Sequence, residues 1–479
     1  MPTDASTHPP LIAPGRATMT RRQVLAAFLL LGAGFMFSVD FSILNVALPR
    51  LGAGVGLSTA ALPWVVTAFA LPAAGFTPLF GRIADLIGRR RTFLTGMALL
   101  TAASLLGGAA VNPAMLLTAR VLQGFAVAIA TPAALSLLVT SFRDPRQRAR
   151  VLGLNGALLS GGFTVGALAG GTLVDLAGWR SAFLINVPVA VAILFTTPFV
   201  VRGGRAPSGV RPDVAGAVTV TLGLLGLVFG VLTRNPWALG SGVALLVAFR
   251  WVEQRAAQPL VALEILARPS VKWGNLAGLV VFAMESGLIY LTTLYLQDVL
   301  HLSPLATGLV FGVPGLASVA AGVLAGRFIG RHGARRVLAA GLLVQTGATA
   351  PLILLGATGP GLALLVPALF VGFFGHVTAI VAFMVTATSG LADSEQGLAT
   401  GLSSLTQQVG PTLGVPLLST VAAAPATLLA GVHLALAVDV ALSVTVLALV
   451  WIGLRPRSPE PVGTVEARTT IRSSSDPRI

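Results

Sequence analysis

The 479-residue sequence contains no cysteine, a single lysine and few charged residues of either sign. The absence of cysteine excludes disulfide bonds and thiolate metal sites. Only 10% of the residues are charged, whereas soluble domains carry about a quarter. Hydrophobic residues make up 55% of the chain, and the mean hydropathy is +0.88. This composition excludes an ordinary soluble protein and predicts an all-α polytopic membrane protein.

The net charge of +15 does not indicate nucleic-acid binding. The arginines stand between apolar runs and are not interleaved with aromatic residues that could stack on bases. The sequence also has no HExxH or GKS motif and no serine–histidine grouping, so neither an enzyme nor a bound cofactor or metal is expected. The partner that the composition implies is the lipid bilayer.

Fourteen apolar segments between residues 24 and 454 are each long enough for a membrane-spanning helix, which needs about 20 residues. The first run begins after Arg21 and Arg22 and is too long for a signal peptide. With both termini in the cytoplasm of a plasma-membrane protein, nearly every arginine-bearing loop is cytoplasmic, as the positive-inside rule requires. Only Arg50, Arg180 and Arg234 lie on the other side.

Three kinds of feature recur about 245 residues apart. The basic loop Gly81 to Arg91 (GRIADLIGRRR) is echoed by Gly326 to Arg336 (GRFIGRHGARR). Asp40 and Glu285, each a lone carboxylate in an apolar run, have the same spacing. The glycine motifs that begin at Gly166 and Gly410 are 244 residues apart. These repeats predict a duplicated unit in one orientation.

The offset exceeds what six helices and their loops need, so the sequence predicts two six-helix bundles related by a pseudo-twofold axis, plus two inserted linking helices. The inserted pair, Val214 to Leu232 and Trp237 to Val252, is expected to be structural and to lie beside the transport path. The predicted regions are a cytoplasmic tail, the first bundle, the linker with the inserted helices, the second bundle and a second cytoplasmic tail, at residues 1–22, 23–201, 202–270, 271–454 and 455–479.

Five sequence stretches together resemble the major facilitator superfamily, and more narrowly its fourteen-helix drug:proton antiporter family. They are DFSILNVALP from Asp40, GRIADLIGRRR, RVLQG from Arg120, the glycine-rich fifth helix, and GWRSAFLINVP from Gly178. The resemblance covers nearly all of residues 22–454. The chain departs from the family pattern at Ala167, Ser181, Ala182 and Gly330, which bears chiefly on the bend of the fifth helix.

The resemblance implies a role for each motif. The loop with Gly81, Asp85, Gly88, Arg89 and Arg90 is expected to latch the two halves together, with Asp85 facing the helix N-terminus near Gly397. The remaining glycine-motif residues are expected to control helix packing and gating: Gly162, Gly166, Gly170, Gly171, Gly410, Pro411 and Gly414. This motif in the fifth helix is typical of exporters in the family.

Five ionisable residues fall inside predicted helices, where a charge is costly and is usually functional or paired. Arg120 is expected to pair with Asp40 and to serve proton coupling, with a purely structural role as the alternative. Asp40 and Glu285 are expected to line a central cavity, with Glu285 isolated in an apolar wall as proton carrier and cation selector. His376 and Asp439 lack symmetry mates and are expected to serve helix packing.

Together with these residues, the resemblance implies a proton-coupled antiporter that exports hydrophobic or cationic drug-like compounds by alternating access and confers antibiotic resistance. Its expected partners are protons and a small-molecule substrate, and it is expected to act as a monomer. Two alternatives stay open: an exporter of one endogenous metabolite, and a proton-coupled nutrient importer.

Overall fold

The computed structural model describes residues 19–142, 144–201, 213–256, 259, 263–358, 360–391 and 393–454. These residues form helices and connecting turns, and no strand occurs among them. The terminal tails predicted at residues 1–22 and 455–479 therefore lie outside the described residues, except for 19–22. The same is true of residues 202–212 of the predicted linker.

Fourteen helices of 15 residues or more occur among the described residues. The first half contains α1 to α6, at Arg21–Val55, Pro63–Ile87, Arg89–Gly108, Pro113–Ser141, Pro145–Ala177 and Asn186–Val200. The inserted pair is α7, Val214–Thr233, and α8, Pro236–Arg255. The second half contains α9 to α14, at Pro269–Leu294, Pro304–His332, Ala334–Thr349, Gly361–Thr388, Asp393–Ala422 and Leu428–Gly453.

Several helix starts are dictated by a polar cap followed by proline. The side chains of Asn112, Asn235 and Ser303 each accept a hydrogen bond from a backbone N–H in the first turn of α4, α8 and α10. Proline follows each cap, where its missing N–H costs nothing and its fixed φ angle suits a helix. These cap–proline pairs therefore mark where helices begin within long apolar stretches of the sequence.

Ten membrane-span candidates among the described residues are long and apolar enough to cross a bilayer. The helices α3, α5, α8 and α13 do not meet that standard by themselves, so fourteen crossings remain a prediction. Each of the four packs along a helix that does meet it: α3 on α4, α5 on α1, α8 on α7 and α13 on α9. A side-by-side partner of this kind is consistent with a crossing.

The helix packing repeats between the halves. In the first half α1 packs on α5, α2 on α4 and α3 on α4; in the second, α9 packs on α13, α10 on α12 and α11 on α12. The contacts between the halves are also reciprocal, because α5 packs on α10 and α2 packs on α13. We call these two crossed pairs the seams. Their reciprocity is what a pseudo-twofold relation between two copies requires.

The inserted helices lie at one seam. Helix α7 packs on α8 and also contacts both α2 and α13. Leu71 of α2 shares an apolar cluster with Val220, Leu224 and Val228 of α7, and Val409 of α13 packs against that cluster. Helix α8 runs to Arg255, three residues beyond the predicted end, and includes the buried Glu253.

The two ends of the bundle differ. We call the end where α2 meets α3 the basic end, because Arg89, Arg90 and Arg91 lie there. The opposite end, where α1 ends and α2 begins, is the far end. At the basic end the chain reverses at Gly88, with φ 102°, and at its counterpart Gly333, with φ 80°. A positive φ strains residues with a side chain, which explains glycine at both positions.

Among the side chains that the structure describes, several contacts between the halves lie toward the far end. An ideal Cβ placed on Gly171 of α5 would lie 2.5 Å from the carbonyl oxygen of Pro304, at the start of α10. Gln297, which follows α9, donates a hydrogen bond of 2.7 Å from Nε2 to the Val46 carbonyl of α1. At the basic end Arg90 donates instead to the Val201 carbonyl, 3.3 Å away within its own half. The halves are therefore packed together at the far end.

Candidate functional site

A buried polar cluster surrounds Asp40 inside the first half. Asp40 lies on α1 and is 2% exposed, and Arg120 on α4 is 1% exposed. Three neutral polar side chains complete the cluster: Ser104 of α3, Gln123 of α4 and Asn186 at the start of α6. Four helices therefore contribute to one set of polar contacts in an otherwise apolar bundle.

Both carboxylate oxygens of Asp40 accept hydrogen bonds. Arg120 Nη1 donates to Oδ2 at 3.3 Å. Gln123 Nε2 donates to Oδ1 at 3.3 Å, and Asn186 Nδ2 also donates to Oδ1. The same Gln123 and Asn186 amides donate to Ser104 Oγ, at 3.1 and 3.3 Å. Asp40 is therefore the common acceptor for donors on α4 and α6.

Arg120 has further partners besides Asp40. Its Nη1 donates to Gln123 Oε1 at 2.8 Å, and its Nε donates to the Val65 carbonyl of α2 at 3.0 Å. The guanidinium carbon lies 4.4 Å from the centre of the Phe69 ring, a cation–π distance. A buried charge is tolerated only when it is paired and hydrogen-bonded. Protonation of Asp40 would remove the counter-charge of Arg120 and alter contacts among four helices.

Asp40 does not lie where the sequence placed it. We expected it to line a central cavity between the halves, but it is buried within the first half, surrounded by that half's own side chains. Gln123 and Asn186 were not singled out as site residues, although the motifs RVLQG and GWRSAFLINVP contain them. Ser104 belongs to none of these motifs, and nothing in the sequence marks it as a site residue.

Glu285 and His376 form a second pair in the other half. Glu285 lies on α9 and His376 on α12, and the His376 Nε2 and Glu285 Oε2 atoms are 2.5 Å apart. The His376 side chain is 4% exposed and that of Glu285 is 19% exposed. The expectation that Glu285 stands isolated in an apolar wall is therefore wrong. Ninety-one residues separate the partners in sequence, and only the packing of α9 against α12 brings them together.

Aromatic rings pack on the histidine of this pair. Phe282 of α9 lies edge-on to the His376 ring at a centroid distance of 6.0 Å, and Phe373 of α12 lies 6.1 Å from it. Phe163 of α5, in the other half, lies 6.1 Å from Phe373. Ring contacts therefore connect the pair to the first half through Phe373 and Phe163.

Asp439 is a third buried acidic residue, on α14, and is 3% exposed. Its Oδ1 accepts a hydrogen bond of 3.3 Å from Ser443 Oγ, one turn further along the same helix. No salt bridge to it is found in the described part of the chain. The structure does not bring Asp439 into contact with either of the two pairs.

The glycine motifs form close helix contacts in both halves. An ideal Cβ on Gly166 of α5 would lie 2.7 Å from the Val39 carbonyl oxygen of α1, and one on Gly170 would lie 2.8 Å from the Ile43 Cα. An ideal Cβ on Gly410 of α13 would lie 2.6 Å from the Phe282 Cβ of α9. Gly162, Gly171 and Gly414 are similarly close to neighbouring backbone, and Pro411 lies inside α13.

The predicted latch is only partly described. The side chain of Asp85 lies outside the described residues. The helix whose N-terminus it was expected to face, α13, begins at Asp393, four residues before the predicted start near Gly397. Gly88 ends α2, and the guanidinium of Arg90 binds carbonyls of Pro198 and Val201 at the end of α6. In this structure Arg90 therefore contacts its own half, whereas the latch would require contact with the other.

The chain was compared with known proteins. The sequence profile of the Major Facilitator Superfamily matches residues 30–415. The chain belongs to the Major Facilitator Superfamily. As a solved structure, the human organic anion transporter MFSD10 (TETRAN) aligns with this major facilitator protein at a TM-score of 0.62 and 18% identity. The alignment covers 90% of this chain and 99% of that one, and it supports the fold predicted from the sequence.

Several relatives of this major facilitator protein are named for antibiotic export or resistance. It is 36% identical to the cephamycin export protein CmcT of Amycolatopsis lactamdurans, over 85% of this chain and 86% of that protein. It is 35% identical to the puromycin resistance protein pur8 of Streptomyces alboniger, over 91% and 92%. It is 32% identical to the multidrug resistance protein Stp of Mycobacterium tuberculosis (strain CDC 1551 / Oshkosh), over 85% and 77%. The family predicted from the motifs is confirmed.

Proposed function

We propose that this protein exports hydrophobic or cationic drug-like compounds in exchange for protons by alternating access. The observation that carries the proposal is one membrane-embedded carboxylate in each half, at equivalent positions of the duplication, each beside a basic side chain. Relatives named for export of, or resistance to, several antibiotics support a drug-like substrate. A carboxylate away from water can bind a proton and release it when a cation approaches.

The two carboxylates have different duties in this proposal. Asp40 couples proton binding to helix packing, because its partners hold α1, α4 and α6 together. Glu285 faces the seam and meets substrate, because its side chain is the more exposed of the two. The close glycine contacts between α5 and α1 lie within the first half, and we expect them to control the bending of α5, which also forms a seam with α10.

The proposed topology places the basic end in the cytoplasm of a cell whose plasma membrane the protein spans. The tails at 1–22 and 455–479 are then cytoplasmic, and residues 202–270 join bundles 23–201 and 271–454. Far-end packing of the halves then corresponds to the inward-facing state. The Gly81 loop with Asp85, Arg89 and Arg90 forms its latch in the outward-facing state. The monomer is the functional unit.

Accumulation in an efflux-deficient bacterial host tests the proposal. Cells that express the protein are loaded with ethidium, tetraphenylphosphonium and a panel of antibiotics, and the amount retained is compared with that in cells carrying an empty vector. We expect lower retention of several chemically unrelated compounds. Unchanged retention of every compound in the panel would contradict drug export and favour the metabolite exporter, and increased retention of any compound would favour the importer.

A further inference from the structure

We propose that Glu285, His376 and the rings of Phe163, Phe282 and Phe373 form a binding site for monovalent organic cations that carry an aromatic body. The inference rests on the proposed function, since it names the substrate class and the residues that would select it.

The Glu285 carboxylate has one oxygen held and one oxygen free. Oε2 contacts His376 Nε2, and Oε1 has no hydrogen-bond partner in the described part of the chain. The side chain is 19% exposed and lies well inside α9, nine residues before its last residue, Leu294. A carboxylate that is fixed through one oxygen and open at the other is already oriented for a second partner. A cation is the partner that such an oxygen favours most.

His376 fixes the position of the acid. Its Nε2 contacts Oε2 of Glu285, while its Nδ1 is buried and has no hydrogen-bond partner within the described residues. The contact therefore holds Glu285 in place without using Oε1. Glu285 is the one acidic side chain among the five residues of the site, and a single carboxylate suits a cation of one positive charge and disfavours an anion.

The rings supply the apolar wall. Phe282 and Phe373 both contact the His376 ring, and Phe163 extends the wall from the other half across the seam. The negative face of an aromatic ring attracts cations, and flat rings stack on one another. Because the wall contains rings from both halves, its shape changes when the halves move. Binding at the site is therefore coupled to the transport cycle.

Direct binding to purified protein in detergent tests the site. Ethidium, a flat monovalent cation, and N-phenyl-1-naphthylamine, a neutral aromatic compound of similar bulk, are titrated by fluorescence. The variant Glu285→Gln keeps the size of the side chain and an acceptor for His376 but removes the charge. We expect its Kd for ethidium to rise about tenfold or more, as loss of a charge-assisted contact implies. Its Kd for the neutral probe should change less than about twofold.

Three further variants test whether His376 positions Glu285 or only packs against its neighbours. Glu253→Gln makes the same change at a buried glutamate of α8, outside the site, and should leave both Kd values unchanged. His376→Leu releases Oε2 of Glu285, so ethidium binding should weaken while neutral binding persists. His376→Gln, whose amide can donate to Glu285, should restore ethidium binding in part. A merely structural histidine would move both probes together and would not show this rescue.

The inference and the proposed function fail in different ways. If the parent protein lowers drug retention in cells but Glu285→Gln binds ethidium as tightly as the parent, the site is wrong and export stands. Failure of the parent to bind ethidium and tetraphenylphosphonium, while it binds the neutral probe, also overturns the site. If the parent protein lowers the retention of no compound in cells, the proposed function itself is wrong.

Discussion

Asp40→Asn is the perturbation whose consequence follows most directly from the structure. Asp40 has two acceptor oxygens, one used by Arg120 and the other by Gln123 and Asn186. Asparagine has one acceptor oxygen and an amide that only donates. Whichever way the new side chain turns, either the Arg120 guanidinium or the two amides lose their acceptor and face a donor instead.

The expected loss of stability is large because the side chains of the site are buried away from water. Arg120 is 1% exposed, so loss of Asp40 leaves a buried charge without its counter-ion. Removal of one partner of a buried ion pair costs about 3–5 kcal/mol. For a unit the size of one six-helix half, 1 kcal/mol shifts Tm by about 2–4 °C. We therefore expect Asp40→Asn to lower the Tm of the purified protein by roughly 10 °C.

The assay is thermal unfolding in detergent, followed by tryptophan fluorescence, on four proteins: the parent, Asp40→Asn, Arg120→Gln and the double variant. The double variant removes both charges, so it should lose less stability than the sum of the single losses. Asp439→Asn is the comparison, because Asp439 is equally buried but has no ion-pair partner among the described residues. It should change Tm little.

An unchanged or raised Tm for Asp40→Asn would refute the reasoning, since it would mean that Arg120 is satisfied without the carboxylate. Additive losses in the double variant would show that the two side chains are not coupled. In transport, Asp40→Asn should impair all substrates alike, in contrast to the cation-selective loss expected of Glu285→Gln.

Three further predictions concern helix packing and movement of the halves. Gly166→Ala should lower Tm and slow export, because a methyl group 2.7 Å from the Val39 carbonyl oxygen forces α5 away from α1, at a cost of about 1–3 kcal/mol. Oxidation of Thr164→Cys/Gly315→Cys should stop export and dithiothreitol should restore it. The two positions face each other across a seam, where the ideal Gly315 Cβ lies 2.6 Å from the Thr164 Cβ, so a separation of the helices by about 1 Å gives the distance that a disulfide needs. Asp85→Asn should leave membrane insertion intact but abolish turnover in vesicles, because it removes the proposed latch; normal transport would contradict the latch.

The first two of these changes have matched controls within the chain. Gly161→Ala adds the same methyl group to α5 where nothing lies within 4 Å, so Tm and export should be unchanged or slightly improved. Gly96→Cys/Ala130→Cys joins α3 to α4 inside one half, where the two Cβ positions are 2.8 Å apart. Export that survives this cross-link but not the one across the seam indicates relative motion of the halves. Loss of export in both cases would contradict rigid halves.

The fold could be predicted from the sequence because two physical constraints can be recognised in it directly. A spanning helix needs a long apolar run, and the basic loops must stay on one side of the membrane. The duplication then supplied the arrangement, and even the reversal at Gly88 has its counterpart at Gly333. The pairing of Asp40 with Arg120 could also be predicted, because both residues belong to sequence motifs.

The pairing of Glu285 with His376 could not be predicted, because the two halves have different residues at the equivalent positions. The residue 245 positions after Arg120 is Leu365, so the second copy keeps the acid and has no corresponding arginine. Its basic partner comes instead from His376 on α12, and the equivalent position in the first half is Thr131. Symmetry therefore predicted where Glu285 lies along its helix. It could not predict which side chain faces Glu285, since that depends on how α9 and α12 cross.

The most direct measurement of proton-driven export uses purified protein in sealed vesicles with an imposed pH gradient. With an acidic lumen and ethidium outside, antiport predicts that ethidium accumulates in the lumen while lumenal pH rises, and that a protonophore abolishes both changes. The sign of the gradient decides the direction whichever way the protein is inserted. Accumulation driven by an alkaline lumen, or accumulation indifferent to the gradient, would contradict proton-coupled export.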